Sequence, residues 1–387
     1  MSTSNRVVIV GAGIVGSSLA KHLSLLSIPV TLLDRSLATP IPGSTGHAPG
    51  FVGQLNEFPT LTNLAIRSVA DYKTIPNGFA QVGGLEVAYS TEGHDLLFYR
   101  QALAQEHGLP ADIISAEEAV RLNPAFVKRG VTAALFYKSD GTAAAETIAL
   151  HDRAVAQSKG AELVEGDVTD IIKENGLVTG VQTTNGFIAA GKVVVTTGIW
   201  ARQLLPTAPV HPVAHPYSHS QPHEVRAPTP FVRWPENHVY GRDHGTYDGI
   251  GSYDHPAISV DAENIGPDAY APWEASFDKV LEKSYAHTPA ETSWEGAVPF
   301  NGLFSMTPDN FPLVGEVGEG VWCAVAVWVT TAGGAAALLA KTIAGEGLSE
   351  EETKMMSDMD PNRFDGKNQE DLKKASLHAY NNIYNTD

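Results

Sequence analysis

The hydrophobic pattern at the start of the chain predicts a strand, a helix and a second strand. Val7–Val10 is a continuous β-branched run, which is typical of a buried strand. Apolar residues then recur at helical spacing through Ile14–Leu25, and residues 30–33 form a second apolar run. A βαβ unit of about 30 residues indicates an α/β domain built on a parallel sheet.

Further elements follow along the chain. We predict a short helix at 117–123, a longer helix at 143–159 and strands at 81–89, 162–165, 178–184 and 192–197. Residues 208–235 are rich in proline and histidine, which excludes a helix there. The alternation predicts two discontinuous domains: a nucleotide-binding domain from 1–80, 139–205 and 296–387, and a β-rich second domain from 81–138 and 206–295.

One apolar stretch is as long as a bilayer is thick. Residues 321–340 are nearly uncharged. However, 321–329 is β-branched and aromatic, 330–334 has the composition of a turn, and 335–344 is rich in helix formers. We therefore predict a strand, a tight turn and a buried helix here, and no membrane span.

Composition and charge narrow the class of protein. Of 387 residues, 43% are hydrophobic and 18% charged, so a large core is expected. The 26 Lys and Arg against 44 Asp and Glu give a net charge of −18, which disfavours binding to nucleic acid or anionic membranes. The single cysteine, Cys323, excludes an internal disulfide, and neither residues 1–6 nor the tail at 385–387 carries a targeting signal. These features predict a cytoplasmic protein.

A dinucleotide-binding fingerprint lies between the first strand and the first helix. Gly11, Gly13 and Gly16 form the pattern G-x-G-x-x-G, which permits a tight turn, close approach of a pyrophosphate and close packing of helix on strand. Asp34 ends the second strand, where a carboxylate can accept both ribose hydroxyls. NAD and FAD share this fingerprint, so it does not choose between them.

The small-residue loop at 43–53 surrounds one histidine, His47. Small, flexible residues allow the backbone to lie flat against a planar ligand that the imidazole can reach. The alternative is a surface turn with an incidental histidine.

Several motifs in order resemble the D-amino-acid-oxidase superfamily of flavoproteins. They are GAGIVG, GSTGHAPGFVGQ, QVGGLEVA, SDG, FSMTPDNFPLVGE and VWVTTAGG. Within it the chain is most similar to the FAD domain of dimethylglycine oxidase and of dimethylglycine and sarcosine dehydrogenases. The resemblance implies a Rossmann-like FAD-binding domain with an inserted α+β substrate domain dominated by an antiparallel sheet, also found in glutathione-reductase-like proteins.

The resemblance also implies the cofactor and its ligands. In that family the histidine of the G-S-T-x-H-A motif is bonded to the flavin 8α-methyl group, which gives His47 this role. The glycine-rich turn at 330–334 would direct the N–H groups of its helix at the flavin pyrimidine, and Val168 would contact adenine. The full set of expected FAD-binding residues is Gly11, Gly13, Ile14, Val15, Gly16, Asp34, Arg35, Gly43, Ser44, Thr45, His47, Ala48, Pro49, Val168, Gly198, Trp200, Val329, Thr330, Thr331, Ala332 and Gly333.

Four histidines recur every fourth residue, at positions 211, 215, 219 and 223. The intervening prolines forbid a helix, and in an extended strand all four would point the same way. A zinc site is a possible interpretation, but no carboxylate or thiolate joins the row, so we predict no metal. By resemblance, His215 and Tyr240 are the active-site histidine and tyrosine, and the other three histidines are surface or packing residues.

The predicted activity is that of a FAD-dependent amine oxidase. Its substrate would be an N-methylated amino acid of the dimethylglycine or sarcosine type, and its products the demethylated amine, formaldehyde and H2O2. An imidazole near the flavin can take the ammonium proton, since only the neutral amine gives up a hydride. A substrate carboxylate would be held by Arg226, Arg233 or Arg242, which the sequence does not rank. Relatives continue into a folate-binding module, which we expect this chain to lack.

Four alternatives stay open at this point. One is a dehydrogenase that passes electrons to a flavoprotein instead of O2. A second is an oxidase of another secondary or tertiary amine in a biosynthetic pathway. The remaining two are an NAD-dependent enzyme and a non-catalytic flavin-binding protein. The oligomeric state is not predicted.

Overall fold

The computed structural model describes residues 5–383. The first four residues of the leader and the tail at 385–387 therefore lie outside the described part. Within 5–383, no helix has both the length and the apolar character that crossing a membrane requires.

The strands of residues 5–383 are short and distributed along the whole chain. In chain order they are β1 Val7–Val10, β2 Val30–Asp34, β3 Phe51–Val52, β4 Phe79–Ala80, β5 Gly84–Ala88, β6 Ala111–Ser115, β7 Ala133–Tyr137, β8 Gly141–Ala143, β9 Glu162–Glu165, β10 Val168–Glu174, β11 Leu177–Thr183, β12 Gly186–Ala189, β13 Lys192–Val195, β14 His211–His219, β15 Phe231–Trp234, β16 Val239–Asp243, β17 Asp248–Ser252, β18 Val298–Met306, β19 Leu313–Gly318 and β20 Val321–Val325.

The α-helices of the same range are α1 Ile14–Leu25, α2 Ser44–His47, α3 Pro59–Tyr72, α4 Thr91–Glu106, α5 Ala116–Leu122, α6 Ala145–Ser158, α7 Phe277–Tyr285, α8 Val329–Ile343, α9 Glu350–Asp358 and α10 Gln369–Asn381. Short 3₁₀ turns lie at Gly198–Gln203, Pro235–Asn237, Ala262–Asn264 and Pro361–Phe364.

The first large sheet has the spatial order β19-β20-β13-β1-β2-β9. All its neighbours are parallel except β19 and β20, and β1 lies at its centre between β13 and β2. Helices α1, α3, α6 and α8 pack on one another against a continuous apolar core. A second apolar core includes the other side chains of β1, Val8 and Val10, and those of β13 and β20. This arrangement places the carboxyl ends of the parallel strands, where nucleotides bind in such folds, beside the start of α1.

The second large sheet has the order β18-β14-β17-β16-β15-β5-β7-β6. It is antiparallel except where β15 runs parallel to β5. The predicted α/β class, with a parallel sheet and a mainly antiparallel second sheet, is confirmed. Strand β18 lies within the predicted segment 296–387, yet it pairs with β14 along its whole length. That segment therefore contributes to both large sheets.

Two local predictions are wrong. Residues 43–53, expected to be a loop, contain a single helical turn, α2, and the short strand β3. The turn expected at 330–334 is helical, because α8 already begins at Val329. Two side chains of α3 contact this turn of the helix. Tyr72 Oη accepts a hydrogen bond from the Gly333 N–H at 3.0 Å, and Ser68 Oγ accepts one from Gly334 at 2.9 Å.

Candidate active site

A cavity of about 460 Å³ opens between the two large sheets, and side chains of both line it. This volume is typical of a small-molecule site. The first sheet contributes residues from the ends of β1 and β20, and the second contributes side chains of β14, β15 and β16.

Most of the site residues predicted from the sequence line this one cavity. They are Gly11, Gly13, Ile14, Val15, Asp34, Arg35, Gly43, Ser44, Thr45, His47, Ala48, Pro49, Val168, Gly198, Trp200, His215, Tyr240, Val329, Thr330 and Thr331. The remaining three, Gly16, Ala332 and Gly333, are not among the lining residues.

Gly16 and Gly333 have packing roles. A Cβ atom on Gly16 would lie 1.9 Å from the carbonyl oxygen of Gly11, so only glycine lets α1 approach the first turn. The N–H of Gly333 is already bonded to Tyr72, whose hydroxyl donates to the Val329 carbonyl at 2.7 Å. The N-terminal turn of α8 is thus fixed by α3, and only its first residues reach the cavity.

The start of α1 is well suited to a diphosphate. Gly13 is the N-cap residue and supplies no side-chain hydrogen bond to the helix. Gly13 and the first two helical residues, Ile14 and Val15, all line the cavity. The first N–H groups of a helix and its dipole favour an anion. Thr45 Oγ1 accepts from the Ile14 N–H at 3.1 Å, which joins the small-residue loop to this helix end.

The carboxylate of Asp34 lies next to this helix end. It accepts hydrogen bonds from the Ala12 N–H at 2.6 Å and the Ser36 N–H at 3.0 Å. These bonds fix the orientation of a cavity-lining carboxylate that can still accept hydroxyl donors. Nearby, the guanidinium of Arg35 stacks over the Trp200 ring at 4.3 Å, and both side chains line the cavity.

His47 ends the helical turn α2 and lies among aromatic rings. Tyr270 stacks on its imidazole with the ring centres 4.4 Å apart, and Phe300 meets it edge-on at 5.8 Å. Burial lowers the pKa of His47 to about 4, although Asp268 opposes the shift. The imidazole is therefore neutral at pH 7 and keeps a nitrogen lone pair.

His215 and Tyr240 form a buried pair. His215 lies on β14 and Tyr240 on β16, and the Tyr240 hydroxyl is 2.7 Å from His215 Nε2. His215 is 3% exposed and Tyr240 1% exposed. Burial, with a smaller contribution from His255, holds the pKa of His215 well below its usual value. The pair thus presents a neutral imidazole and a phenol to the cavity.

The other histidines of β14 and its continuation have different surroundings. Burial lowers the pKa of His211 and of His219 to about 4, and neither lines the cavity. His223 forms a cluster with Asp243 and Asp248, whose ligand atoms lie within 4.8 Å of one another. The expectation that no carboxylate joins the histidines is therefore wrong for His223, because the β16–β17 hairpin brings both aspartates to it. Arg226 forms ion pairs with both aspartates and so offsets part of the negative charge of this cluster.

The structure separates the three arginines that the sequence left unranked. Arg226 pairs with the two aspartates, and Arg242 donates to the carbonyl oxygens of Pro49 and Asp243. Arg233 lines the cavity and lies directly opposite Tyr240 in the β15–β16 pairing, so the two side chains share a face of the sheet.

The surroundings of Arg233 carry a second guanidinium. Arg233 Nη1 lies 3.2 Å from the buried carboxylate of Glu86, and Arg100 Nε lies 2.7 Å from the same group. Arg100 also lines the cavity and reaches Glu57 only at 3.4 Å. Two guanidiniums sharing one buried carboxylate make this end of the cavity a candidate for binding an anion.

Several cavity residues escaped the sequence analysis. Tyr217, Tyr253 and Phe300 line the cavity, and the two tyrosines pack within 6 Å of the Tyr240 ring. Two further residues lie on the side of His215 away from Tyr240. Tyr380 is hydrogen-bonded to His215 Nδ1, and His255 is hydrogen-bonded to Tyr380 and lies near the His215 ring. Aromatic residues on strands are usually core residues, so nothing in the local pattern distinguished them.

Comparison with known proteins identifies relatives for most of the chain. The family described as "FAD dependent oxidoreductase" matches residues 6–342. The 4-methylaminobutanoate oxidase (formaldehyde-forming) of Paenarthrobacter nicotinovorans is 28% identical over 82% of this chain and 40% of its own length. Human mitochondrial dimethylglycine dehydrogenase is 26% identical over 97% of this chain and 46% of its own length. The chain thus spans less than half the length of these two relatives.

Solved structures show the same fold. The L-proline dehydrogenase of P. horikoshii superimposes with a TM-score of 0.80 at 22% identity, covering 94% of this chain and 98% of that one.

Proposed function

This chain belongs to the family of FAD-dependent oxidoreductases, and from this premise we propose that it is an amine oxidase that demethylates an N-methylated amino acid of the dimethylglycine or sarcosine type. The reaction consumes the N-methyl amine, O2 and water, and yields the demethylated amine, formaldehyde and H2O2. The observation that carries the proposal is the buried Tyr240–His215 hydrogen bond in the same cavity as the dinucleotide fingerprint.

The cavity residues fit FAD. The N-terminal turn of α1 would bind the diphosphate, Asp34 would accept the ribose hydroxyls, and Arg35 with Trp200 would flank the adenine end. Val329, Thr330 and Thr331, at the start of α8, would contact the flavin pyrimidine. When bound, FAD supplies the hydride acceptor of the reaction, the flavin N5.

The Tyr240–His215 pair would prepare the amine. A substrate reaches the site as an ammonium ion, which cannot lose a hydride. The phenol oxygen of Tyr240 can take the ammonium proton while the phenol proton passes to His215 Nε2, which leaves the amine neutral and His215 protonated. Both groups are buried, so the proton transfer takes place away from bulk water.

His47 would bond covalently to the flavin. A neutral imidazole is the reactive form, and the low pKa of His47 supplies it at pH 7. A ring nitrogen of His47 would hold the flavin through a bond to its 8α carbon.

The names of the two relatives support an N-methyl amine as substrate. One is a formaldehyde-forming methylaminobutanoate oxidase and the other a dimethylglycine dehydrogenase. Both substrates have a carboxylate and an N-methyl group in one small molecule. We propose the oxidase reaction, and the rate at which air reoxidises the reduced protein distinguishes it from a dehydrogenase.

We also propose that Arg233 holds the substrate carboxylate. Arg233 lines the cavity and lies opposite Tyr240 on the neighbouring strand. If Arg233 binds a substrate carboxylate in place of Glu86, Glu86 keeps its ion pair with Arg100. A carboxylate held there leaves the amine end of an amino acid next to the Tyr240 hydroxyl.

Arg233→Met is expected to raise KM for dimethylglycine or sarcosine by about 10- to 100-fold, the value of one charge-assisted hydrogen bond. Steady-state kinetics over a range of substrate concentrations measure this. Arg226→Met is the matched control, since its guanidinium lies with Asp243 and Asp248 and does not line the cavity. An unchanged KM for Arg233→Met, or an equal loss for Arg226→Met, would remove Arg233 from the carboxylate site.

The overall reaction is tested by its products. Purified protein in air-saturated buffer is expected to release formaldehyde and H2O2 in a 1:1 ratio from dimethylglycine or sarcosine, measured by colorimetric and peroxidase-coupled assays. Formaldehyde formed only when an artificial acceptor is added would indicate a dehydrogenase. Glyoxylate formed in place of formaldehyde, with release of dimethylamine or methylamine, would contradict N-demethylation.

The two-domain division and the cytoplasmic location stay predictions.

A further inference from the structure

Helix α10 reaches the buried histidine from the side opposite Tyr240. Tyr380 of this helix is fully buried, and its hydroxyl lies 2.6 Å from His215 Nδ1. The same hydroxyl lies 2.8 Å from His255 Nε2. A row of four polar groups therefore runs from the cavity into the protein: Tyr240, His215, Tyr380 and His255.

The row has one hydrogen-bond direction. His255 Nδ1 lies 2.9 Å from the carbonyl oxygen of Pro256, which can only accept, so this nitrogen carries the proton. In the neutral ring Nε2 is then a lone pair, and Tyr380 must donate to it. The oxygen of Tyr380 in turn accepts from His215 Nδ1–H.

The direction of these hydrogen bonds determines the tautomer of His215. With its proton on Nδ1, its Nε2 is a lone pair directed at the Tyr240 hydroxyl. Tyr240 therefore donates its hydroxyl proton to the hydrogen bond with His215. The opposite tautomer would make His215 a donor at Nε2, so that it could not receive a proton from Tyr240.

The surrounding contacts hold this arrangement in place. Asn381, next to Tyr380, donates to the His255 carbonyl at 2.7 Å and accepts from the Ala257 N–H at 3.2 Å. The Asn301 side chain accepts from the His215 N–H at 3.0 Å and so positions the strand. Helix α10 lies beyond residues 6–342, which the family match covers.

We propose that Tyr380 and His255 are positioning residues that fix His215 as the Nδ1–H tautomer and thereby make it the proton acceptor for Tyr240. This inference rests on the proposed function only for its kinetic consequence. The tautomer itself can be measured without any substrate.

The kinetic test replaces the two residues one at a time. Tyr380→Phe is expected to slow flavin reduction at saturating amine by about 100-fold, the low end of what a proton-transfer group contributes, with little change in KM. His255→Leu, which removes the acceptor for Tyr380, is expected to lose as much activity. His255→Gln keeps an acceptor oxygen and is expected to recover most of it. Tyr285→Phe is the matched control, because its hydroxyl bonds Ser218 of the same strand β14 outside this row.

The spectroscopic test uses the holoprotein with ¹⁵N-labelled histidine. Two-bond nitrogen–proton correlations distinguish the tautomers, and the His215 signals are assigned by their loss in His215→Gln. We expect the Nδ1–H tautomer in the natural protein and a shift towards Nε2–H in Tyr380→Phe. Flavin absorbance and thermal unfolding identify any variant that fails to fold.

Each outcome has a separate meaning. An Nε2–H tautomer in the natural protein, or unchanged reduction rates in both Tyr380→Phe and His255→Leu, would overturn the inference. If flavin reduction stays normal in Tyr380→Phe and His255→Leu but is slow in Tyr240→Phe, the inference fails and the proposed function stands. A protein that oxidises no amine contradicts the proposed function, and the tautomer measurement still decides the inference.

Discussion

Flavin reduction by the best amine substrate is expected to slow by about 10²- to 10⁴-fold in Tyr240→Phe and in His215→Ala, the usual contribution of general acid–base groups. Tyr240→Phe removes the hydroxyl that we propose contacts the ammonium group, and His215→Ala removes the imidazole whose Nε2 lies 2.7 Å from that hydroxyl. Because the two groups act in one proton transfer, the double variant is expected to lose little more than either single one. Anaerobic stopped-flow measurement of flavin absorbance gives these rates.

The control for this prediction lies on the same strand. His211→Ala removes another buried histidine of β14, one that does not line the cavity, and is expected to leave the reduction rate unchanged. Fully additive losses in the double variant would show that Tyr240 and His215 act independently. Normal rates in both single variants would exclude them from the reaction.

His47→Ala is expected to abolish covalent attachment of the flavin. The natural protein should give a yellow pellet after acid precipitation, and the variant a colourless pellet with free FAD in the supernatant. His47 is the histidine among the motif residues that line the cavity, and its neutral imidazole is held by Tyr270 and Phe300. Loss of the bond is also expected to slow the reductive half-reaction, measured by anaerobic stopped-flow absorbance.

His219→Ala serves as the matched variant for this experiment. The His219 ring also packs on Phe300, with the ring centres 5.3 Å apart, but His219 does not line the cavity. The His219→Ala variant should therefore still give a yellow pellet. A His47→Ala pellet that remains yellow would place the covalent bond elsewhere. A colourless pellet from the natural protein would mean that FAD is bound without a covalent bond.

The nucleotide half of the site could be predicted because its signals are local in sequence. The period of the apolar residues changes between β1 and α1, and the glycines and Asp34 fall where a βαβ unit needs them. The secondary structure of the segment after β20 was harder to predict. Its Thr and Gly residues are typical of a turn, yet α8 includes them, and Tyr72 and Ser68 of α3 accept hydrogen bonds from two of its glycine N–H groups.

The residues behind His215 could not be predicted from the sequence. Tyr380 is 165 residues away along the chain, and His255 is 125 residues from Tyr380. Neither belongs to a motif, and each alone resembles an ordinary core residue. The same holds for the aspartates beside His223, which only the pairing of β16 with β17 brings together.

The most direct test of the central claim is an anaerobic titration of the purified yellow protein with dimethylglycine and with sarcosine, followed by flavin absorbance near 450 nm. We predict that one of the two amines bleaches the flavin completely, with one formaldehyde released per flavin reduced. A flavin that stays oxidised with both of these amines, yet is reduced by dithionite, would contradict the proposed substrate class.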